Sequence, residues 1–294
     1  MINTGTPVMK QKGNMRIKTI NTGFFKLDGG AMFGVVPKTI WNRLNPADEN
    51  NMCTWAMRCL LIEEEGRLIL VDTGIGNKQD KKFLDYYYLH GNDTLEKSIL
   101  NEGYTPDEIT DVVLTHLHFD HCGGALQYNS DRSSVVTTFK NARYWSNEAH
   151  WLWATEPNVR EKASFLKENI LPIQESGQLK FIQAGHSPFQ NIDFIFVDGH
   201  TDKQMLPVIK LDGKTIVYVA DLIPSVGHIP IPYVMGYDTR PLLSMKEKDL
   251  FLREAVENKY VLFFEHDPVH ECCSLVQTEK GIRMDKTFNL SEYI

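Results

Sequence analysis

Within six positions, His116, His118, Asp120 and His121 bring three imidazoles and a carboxylate to one point of the chain. They follow Val112-Val113-Leu114, a short apolar run of the kind that forms a buried strand, and they precede Gly123 and Gly124. Such a donor set suits zinc, iron, manganese or cobalt and needs no thiolate. With only 10 histidines in 294 residues, a His-rich surface tract is a poor account of the clustering, because such tracts do not sit directly behind a core strand.

His116 and His118 are two apart in an extended stretch, so both side chains reach the same side. Asp120 falls where a helix is expected to begin, a position that favours a carboxylate. It also turns His121 toward a second ion. The expectation is two divalent metal ions roughly 3.5–4 Å apart that share a hydroxide. Four residues cannot complete two coordination spheres, so other parts of the chain must supply ligands.

Three later apolar runs meet that demand. Residues 193–197, 215–220 and 260–264 read as strands, and they lead into Asp198-Gly199-His200-Thr201, Asp221 and Glu265-His266-Asp267. Each delivers a His or Asp at its C-terminal end, the edge where open sheets with strand–helix connections build sites. Upstream, residues 55–62 and 67–71 form a predicted hairpin around Glu64-Glu65-Gly66. It ends in Asp72-Thr73-Gly74-Ile75-Gly76. Asp72 reads equally well as a plain turn residue or as a partner that orients a ligand histidine.

The surrounding pattern predicts an opening strand at 16–20, a turn at Gly29-Gly30 and an irregular, pocket-lining loop over 35–51. Helices are expected at 78–89, 94–101, 147–153, 158–168 and 244–258, and a last strand pair after Glu271. The 158–168 helix reads as charged and amphipathic, with an exposed face that needs no functional explanation.

Composition narrows the class. Apolar content of 42% and charged content of 23% are ordinary for a globular protein. A net charge of −7 argues against a nucleic-acid or anionic-membrane partner. No apolar run approaches the roughly 20 residues of a membrane span. The expected partner is a small-molecule substrate, with a homodimer left open. Residues 1–14 are polar, lack the apolar core of a signal peptide and read as a flexible extension before a single domain over 15–294. Cys53, Cys59, Cys122, Cys272 and Cys273 form no Cys-x-x-Cys pair, which points to a reduced, cytoplasmic protein. Cys122, beside the motif, is expected to be a small buried filler.

Taken together, His116-x-His118-x-Asp120-His121, Gly199-His200-Thr201, Asp221, His266 and the early Val71-Asp72-Thr73-Gly74 resemble the metallo-β-lactamase superfamily of hydrolases. The resemblance runs from about Arg16 to the C-terminus. It implies an α/β fold, a four-layer αβ/βα sandwich with metals at the shared edge of two sheets. It further implies His116, His118 and His200 on one metal, Asp120, His121 and His266 on the other, Asp221 bridging both, and Asp72 and Thr201 behind them. The implied cofactor is a pair of divalent ions, zinc first, with manganese, iron or cobalt as alternatives. The implied chemistry is hydrolysis by metal-activated hydroxide, with Asp120 passing a proton from nucleophile to leaving group.

Within the superfamily, residues 221–238 are similar to the quorum-quenching lactonases and related organophosphate-active enzymes. In the acyl-homoserine lactonases a Tyr three positions after the bridging Asp helps bind the carbonyl. Pro224 stands there in this chain, and His228, Tyr233 and Tyr237 are candidates for the role. Trp41, Trp55, Trp151, Ile231, Tyr233 and Met235 are expected to supply an apolar wall. No Lys or Arg cluster in 224–238 offers to clamp an anion. The expected substrate is therefore a lactone with an apolar substituent. The rivals are a thioesterase or phosphotriesterase of the same fold, and, in another class, a di-iron redox protein or a non-catalytic metal-binding protein. The di-iron branch has Glu where His118 stands and a flavin domain behind it, and this chain has neither.

Overall fold

Two long apolar strands begin the architecture. Strands β1 (Arg16–Asp28) and β2 (Met52–Glu64) pair antiparallel from Arg16↔Glu63 to Asp28↔Met52. In β2, Leu60 and Ile62 face one buried cluster while Cys59 and Leu61 face another, the two-residue period of a strand covered on both sides. The computed structural model describes residues 15–294. Residues 1–14, expected to be a flexible extension, lie outside the described residues.

The chain continues through β3 (Arg67–Val71), β4 (Asp111–Val113), a small hairpin of β5 (Leu126–Tyr128) and β6 (Val135–Thr137), β7 (Arg143–Ser146) and β8 (Leu179–Phe181). The first sheet has the order β1-β2-β3-β4-β7-β8, parallel from β3 onward. Strands β9 (Ile192–Val197), β10 (Gln204–Leu211), β11 (Lys214–Tyr218), β12 (Val261–Phe263), β13 (Cys272–Thr278) and β14 (Gly281–Phe288) build the second, six-stranded sheet, in the order β14-β13-β12-β11-β10-β9. Only β11 and β12 are parallel there. Ile17, Leu60, Ile69 and Val113 of the first sheet share a core with Ile209, Ile216, Tyr218 and Phe263 of the second. Helices Glu148–Thr155 and Lys167–Glu175 cover the outer face of the first sheet. Helix Pro241–Glu257 packs Phe251, Leu252 and Ala255 on the second. This is the four-layer α/β sandwich.

At one edge the sheets are joined by backbone bonds: Ala56 N–H donates to His266 O, Arg58 N–H to Glu265 O, and Met205 N–H to Thr115 O. The buried Arg58 guanidinium also donates to the carbonyls of Phe264 and Asp267. That edge is where β3, β4, β11 and β12 all end.

Several expectations need correction. Asp28 caps a helix at Gly29–Phe33 rather than a turn. Residues 35–51 contain the short helix Lys38–Trp41 and line no part of the cavity described below. The predicted 78–89 helix shrinks to Lys81–Asp85, and 158–168 is irregular up to the helix at Lys167. The Asn158 side-chain oxygen accepts from the N–H groups of Arg160 and Glu161 and so caps a short turn, which goes no further because Leu166 is extended, with φ −87° and ψ 117°. No helix among the described residues is long and apolar enough to cross a membrane. All five cysteines are buried and unpaired. Burial pushes the Cys122 thiol up to about 12, as suits a filler.

Candidate metal centre

The strand ends deliver the site. His116 follows β4, the one-turn helix Phe119–Cys122 presents Asp120 and His121, His200 lies between β9 and β10, Asp221 follows β11, and His266 follows β12. The motif helix can lie so low because Gly123 and Gly124 carry no side chain. A Cβ on them would meet Ile75 O at 2.1 Å and Thr73 O at 2.2 Å. Ala220, just before Asp221, holds φ 41° and Asp72 holds φ 56°, local strain of a kind that clusters at functional sites.

The seven candidate ligands converge in two groups. Donor atoms of His116, His118, His200 and Asp221 lie within 4.8 Å of one another, as do those of Asp120, His121 and His266. Asp221 faces both groups, with Oδ2 3.1 Å from His200 Nε2 and Oδ1 3.1 Å from His266 Nε2. Asp120 Oδ2 stands 3.8 Å from both His121 Nε2 and His266 Nε2.

The outer nitrogens decide what this centre accepts. His200 Nδ1 faces Asp238 Oδ1 at 3.0 Å, and His266 Nδ1 faces Ala56 O at 2.8 Å. His121 Nδ1 faces Asp72 at 3.1 Å and Glu265 at 2.9 Å. His116 Nδ1 faces the Thr115 hydroxyl at 3.2 Å, whose own hydrogen goes to Asp72. His118 Nε2 faces Glu161 Oε1 at 3.5 Å. Every one of these partners is an acceptor, so each neutral ring carries its hydrogen on the outer nitrogen and turns a lone pair inward. Inside, His118 Nδ1 lies 3.1 Å from both His116 Nε2 and His200 Nε2, and His121 Nε2 lies 3.2 Å from His266 Nε2. Lone pairs at that range repel one another unless a cation stands among them. Five imidazoles and two carboxylates so arranged fit divalent metal.

The electrostatics agree. Burial would raise Asp221, yet His266, His200 and His121 hold it well below the usual carboxylate range. Burial, with His121 and His118 beside it, takes His116 well below its ordinary value. Burial lowers His266 as well, but Asp221 and then Glu265 lift it to about 9. The centre draws positive charge.

Asp72 is fully buried and accepts from Thr115 N–H, Thr115 Oγ–H and His121, contacts that reach a candidate ligand histidine beyond its own turn. Thr201 is buried beside Glu161. The substrate candidates divide. Tyr237 lines a cavity of about 380 Å³ that opens over Asp120, Asp221 and His266, whereas Tyr233 and His228 do not line it. His228 is a core residue: its ring stacks on Phe33, and its nitrogens are taken by Ser225 Oγ and Met32 O. Of the six expected wall residues only Met235 lines the cavity. Trp41, Trp55 and Trp151 are buried in the cores, where large apolar rings gain most. A larger cavity of about 550 Å³ behind the Thr73–Gly76 turn contains none of the seven candidate ligands.

Four residues with roles at the centre were not singled out by sequence: Glu161, Asp238, Glu265 and His150. Only Glu265, adjacent to His266, carried a local signal. His150 Nε2 accepts from Leu117 N–H at 2.9 Å, between His116 and His118, and its Nδ1–H donates to Asp202 O at 2.5 Å, beyond His200. It ties two ligand loops together. Burial lowers His150 from 6.5 to about 4, so the folded ring stays neutral over a range in which the unfolded one gains a proton. This contribution is present above pH 6.5 and is lost as pH falls toward 4, at no more than about 1.4 kcal/mol per pH unit. His150→Gln is expected to cost ~1–3 kcal/mol at neutral pH and to flatten the decline in acid. Urea unfolding at a series of pH values checks this, and parallel curves for the two proteins would refute it.

Fold and site define a metal-dependent hydrolase. A model of the metallo-beta-lactamase superfamily matches residues 58–266, and the chain belongs to that superfamily. N-acyl homoserine lactonase from Bacillus cereus is 24% identical over 255 residues, spanning 82% of this chain and 88% of that one. The lactonase of the same name from Bacillus thuringiensis matches to the same extent. A probable metal-dependent hydrolase from Staphylococcus aureus superposes with a TM-score of 0.85 at 27% identity, covering 95% of this chain and 98% of that chain. AidC, a dizinc quorum-quenching lactonase, superposes with a TM-score of 0.77 at 20% identity, covering 95% and 97%. At that identity the likeness is one of fold.

Proposed function

We propose that this hydrolase opens lactones bearing an apolar acyl chain, with two zinc ions held by His116, His118, Asp120, His121, His200, Asp221 and His266. The observation that carries the reading is the cavity over the centre, walled by Leu27, Met32, Tyr87, Phe119, Met235 and Tyr237. Such walls favour an apolar ligand gripped at one polar end. The relatives named N-acyl homoserine lactonase support the same substrate class.

Divalent metal held by these residues would supply a water of pKa about 7 and Lewis-acid polarisation of a carbonyl. The chain's own groups supply the rest. Asp120, which lines the cavity, would hold the nucleophile's proton and hand it to the leaving alkoxide. Partial burial raises the Tyr237 phenol, which keeps it a hydrogen-bond donor for the carbonyl oxygen in place of the Tyr that Pro224 displaces.

Proton release from N-acyl homoserine lactones of graded chain length, at constant pH, tests the reading. Turnover is expected to favour longer acyl chains, and Tyr237→Phe is expected to lower kcat/KM roughly 100- to 1000-fold. Hydrolysis of phosphotriesters or thioesters with no lactone opening would reject the substrate class and leave the hydrolytic centre standing.

A further inference from the structure

Glu161 is a buried carboxylate, 3% exposed, on an irregular segment between two surface helices. A charge in that position costs stability unless it is partnered, and an apolar residue would fill the space. Its Oε2 accepts from Trp153 Nε1 at 2.8 Å and Asn158 Nδ2 at 2.5 Å, which fix its direction. Its Oε1 points at His118 Nε2, 3.5 Å away. The neighbouring Arg160 donates from Nη2 to the carbonyls of Gly236 and Asp238, and the Asp238 carboxylate faces His200 Nδ1.

We infer that Glu161 is a positioning residue for His118, and that the 158–165 segment clasps two ligands of one metal site to the wall of the substrate cavity. This inference rests on the two-metal reading above. Two of the three histidines grouped with Asp221, His118 and His200, take their orientation from carboxylates on separate segments, and Arg160 fastens those segments together. Residues Arg160, Glu161, Gly236 and Tyr237 also line the cavity. Order in the cavity wall and retention of metal at that site therefore reinforce each other, and the coupling is reciprocal.

The test loads wild type, Glu161→Ala, Glu161→Gln and Arg160→Ala with Co2+ and follows the visible spectrum during titration with a chelator. In Glu161→Ala one equivalent is expected to dissociate 10- to 100-fold more readily, with the other unchanged. Glu161→Gln retains a side-chain oxygen in the position that faces His118 Nε2 at 3.5 Å and is expected to recover most of the loss. Arg160→Ala is expected to weaken the same equivalent by a smaller factor and to speed amide hydrogen exchange over 156–165. Wild-type retention of both equivalents in Glu161→Ala, a change confined to KM, or equal weakening of both equivalents alongside a lowered Tm would each overturn the inference. Wild-type protein that takes up no Co2+ would overturn the two-metal reading and this inference with it.

Discussion

Asp221→Ala is expected to leave fewer than two metal equivalents on the dialysed protein and to reduce hydrolysis by well over ~100-fold. Loss of a group merely hydrogen-bonded to a ligand already costs about 10–100-fold in affinity or activity, and Asp221 stands nearer than that. Its two oxygens point to different halves of the centre, toward His200 and His266. Its Oδ1 is buried without a hydrogen-bond partner, a state that a carboxylate tolerates when a cation takes its place. Removing it would also take negative charge from between the two proposed divalent ions, whose mutual repulsion at an effective dielectric of 20 and a separation of about 4 Å is on the order of 16 kcal/mol. Asp221→Asn keeps the shape and loses the charge, so it should fall between Ala and wild type in both metal content and rate. Elemental analysis beside turnover measures the effect. A variant with two equivalents and normal turnover would reduce Asp221 to a turn residue.

The second large effect is expected at Asp72, which lies behind the ligands. Asp72→Ala removes the acceptor for Thr115 N–H at 2.8 Å, for Thr115 Oγ–H at 2.7 Å and for His121 Nδ1 at 3.1 Å. The buried backbone N–H alone, left without a partner, costs ~1–3 kcal/mol. His121 keeps Glu265 but loses the contact that fixes its ring plane, so metal at the His121–His266 site should be held 10- to 100-fold less tightly. Asp72→Asn separates the two effects. Its amide oxygen still accepts from Thr115, while its NH2 would confront the His121 N–H, so stability should largely return and metal retention should not. Thermal unfolding and chelator competition on the three proteins decide the matter. An Ala variant with unchanged Tm and unchanged metal retention would show that Asp72 orients nothing.

The sequence alone determined which residues would meet. A strand's direction and end are set by a short apolar run and the residues that break it, so His116, Asp221 and His266 could be placed at strand ends, and His200 in the loop after one, without knowing how the sheets pack. The two-residue period at His116 and His118, and the helix start at Asp120, were local in the same sense. Only the tertiary structure decided what stands behind the ligands and what walls the cavity. His118 meets Glu161, His200 meets Asp238 and His150 meets Leu117 where separate segments cross, and no spacing within a segment encodes such a crossing. The 158–168 stretch shows the difference most clearly. Its charges follow a helical period, but Trp153 and Asn158 hold the Glu161 carboxylate inward, so a charged residue of a stretch read as an amphipathic helix faces His118. The tryptophans went the other way for an equally non-local reason: closed packing between layers buries more of a large ring than the wall of an open cavity does.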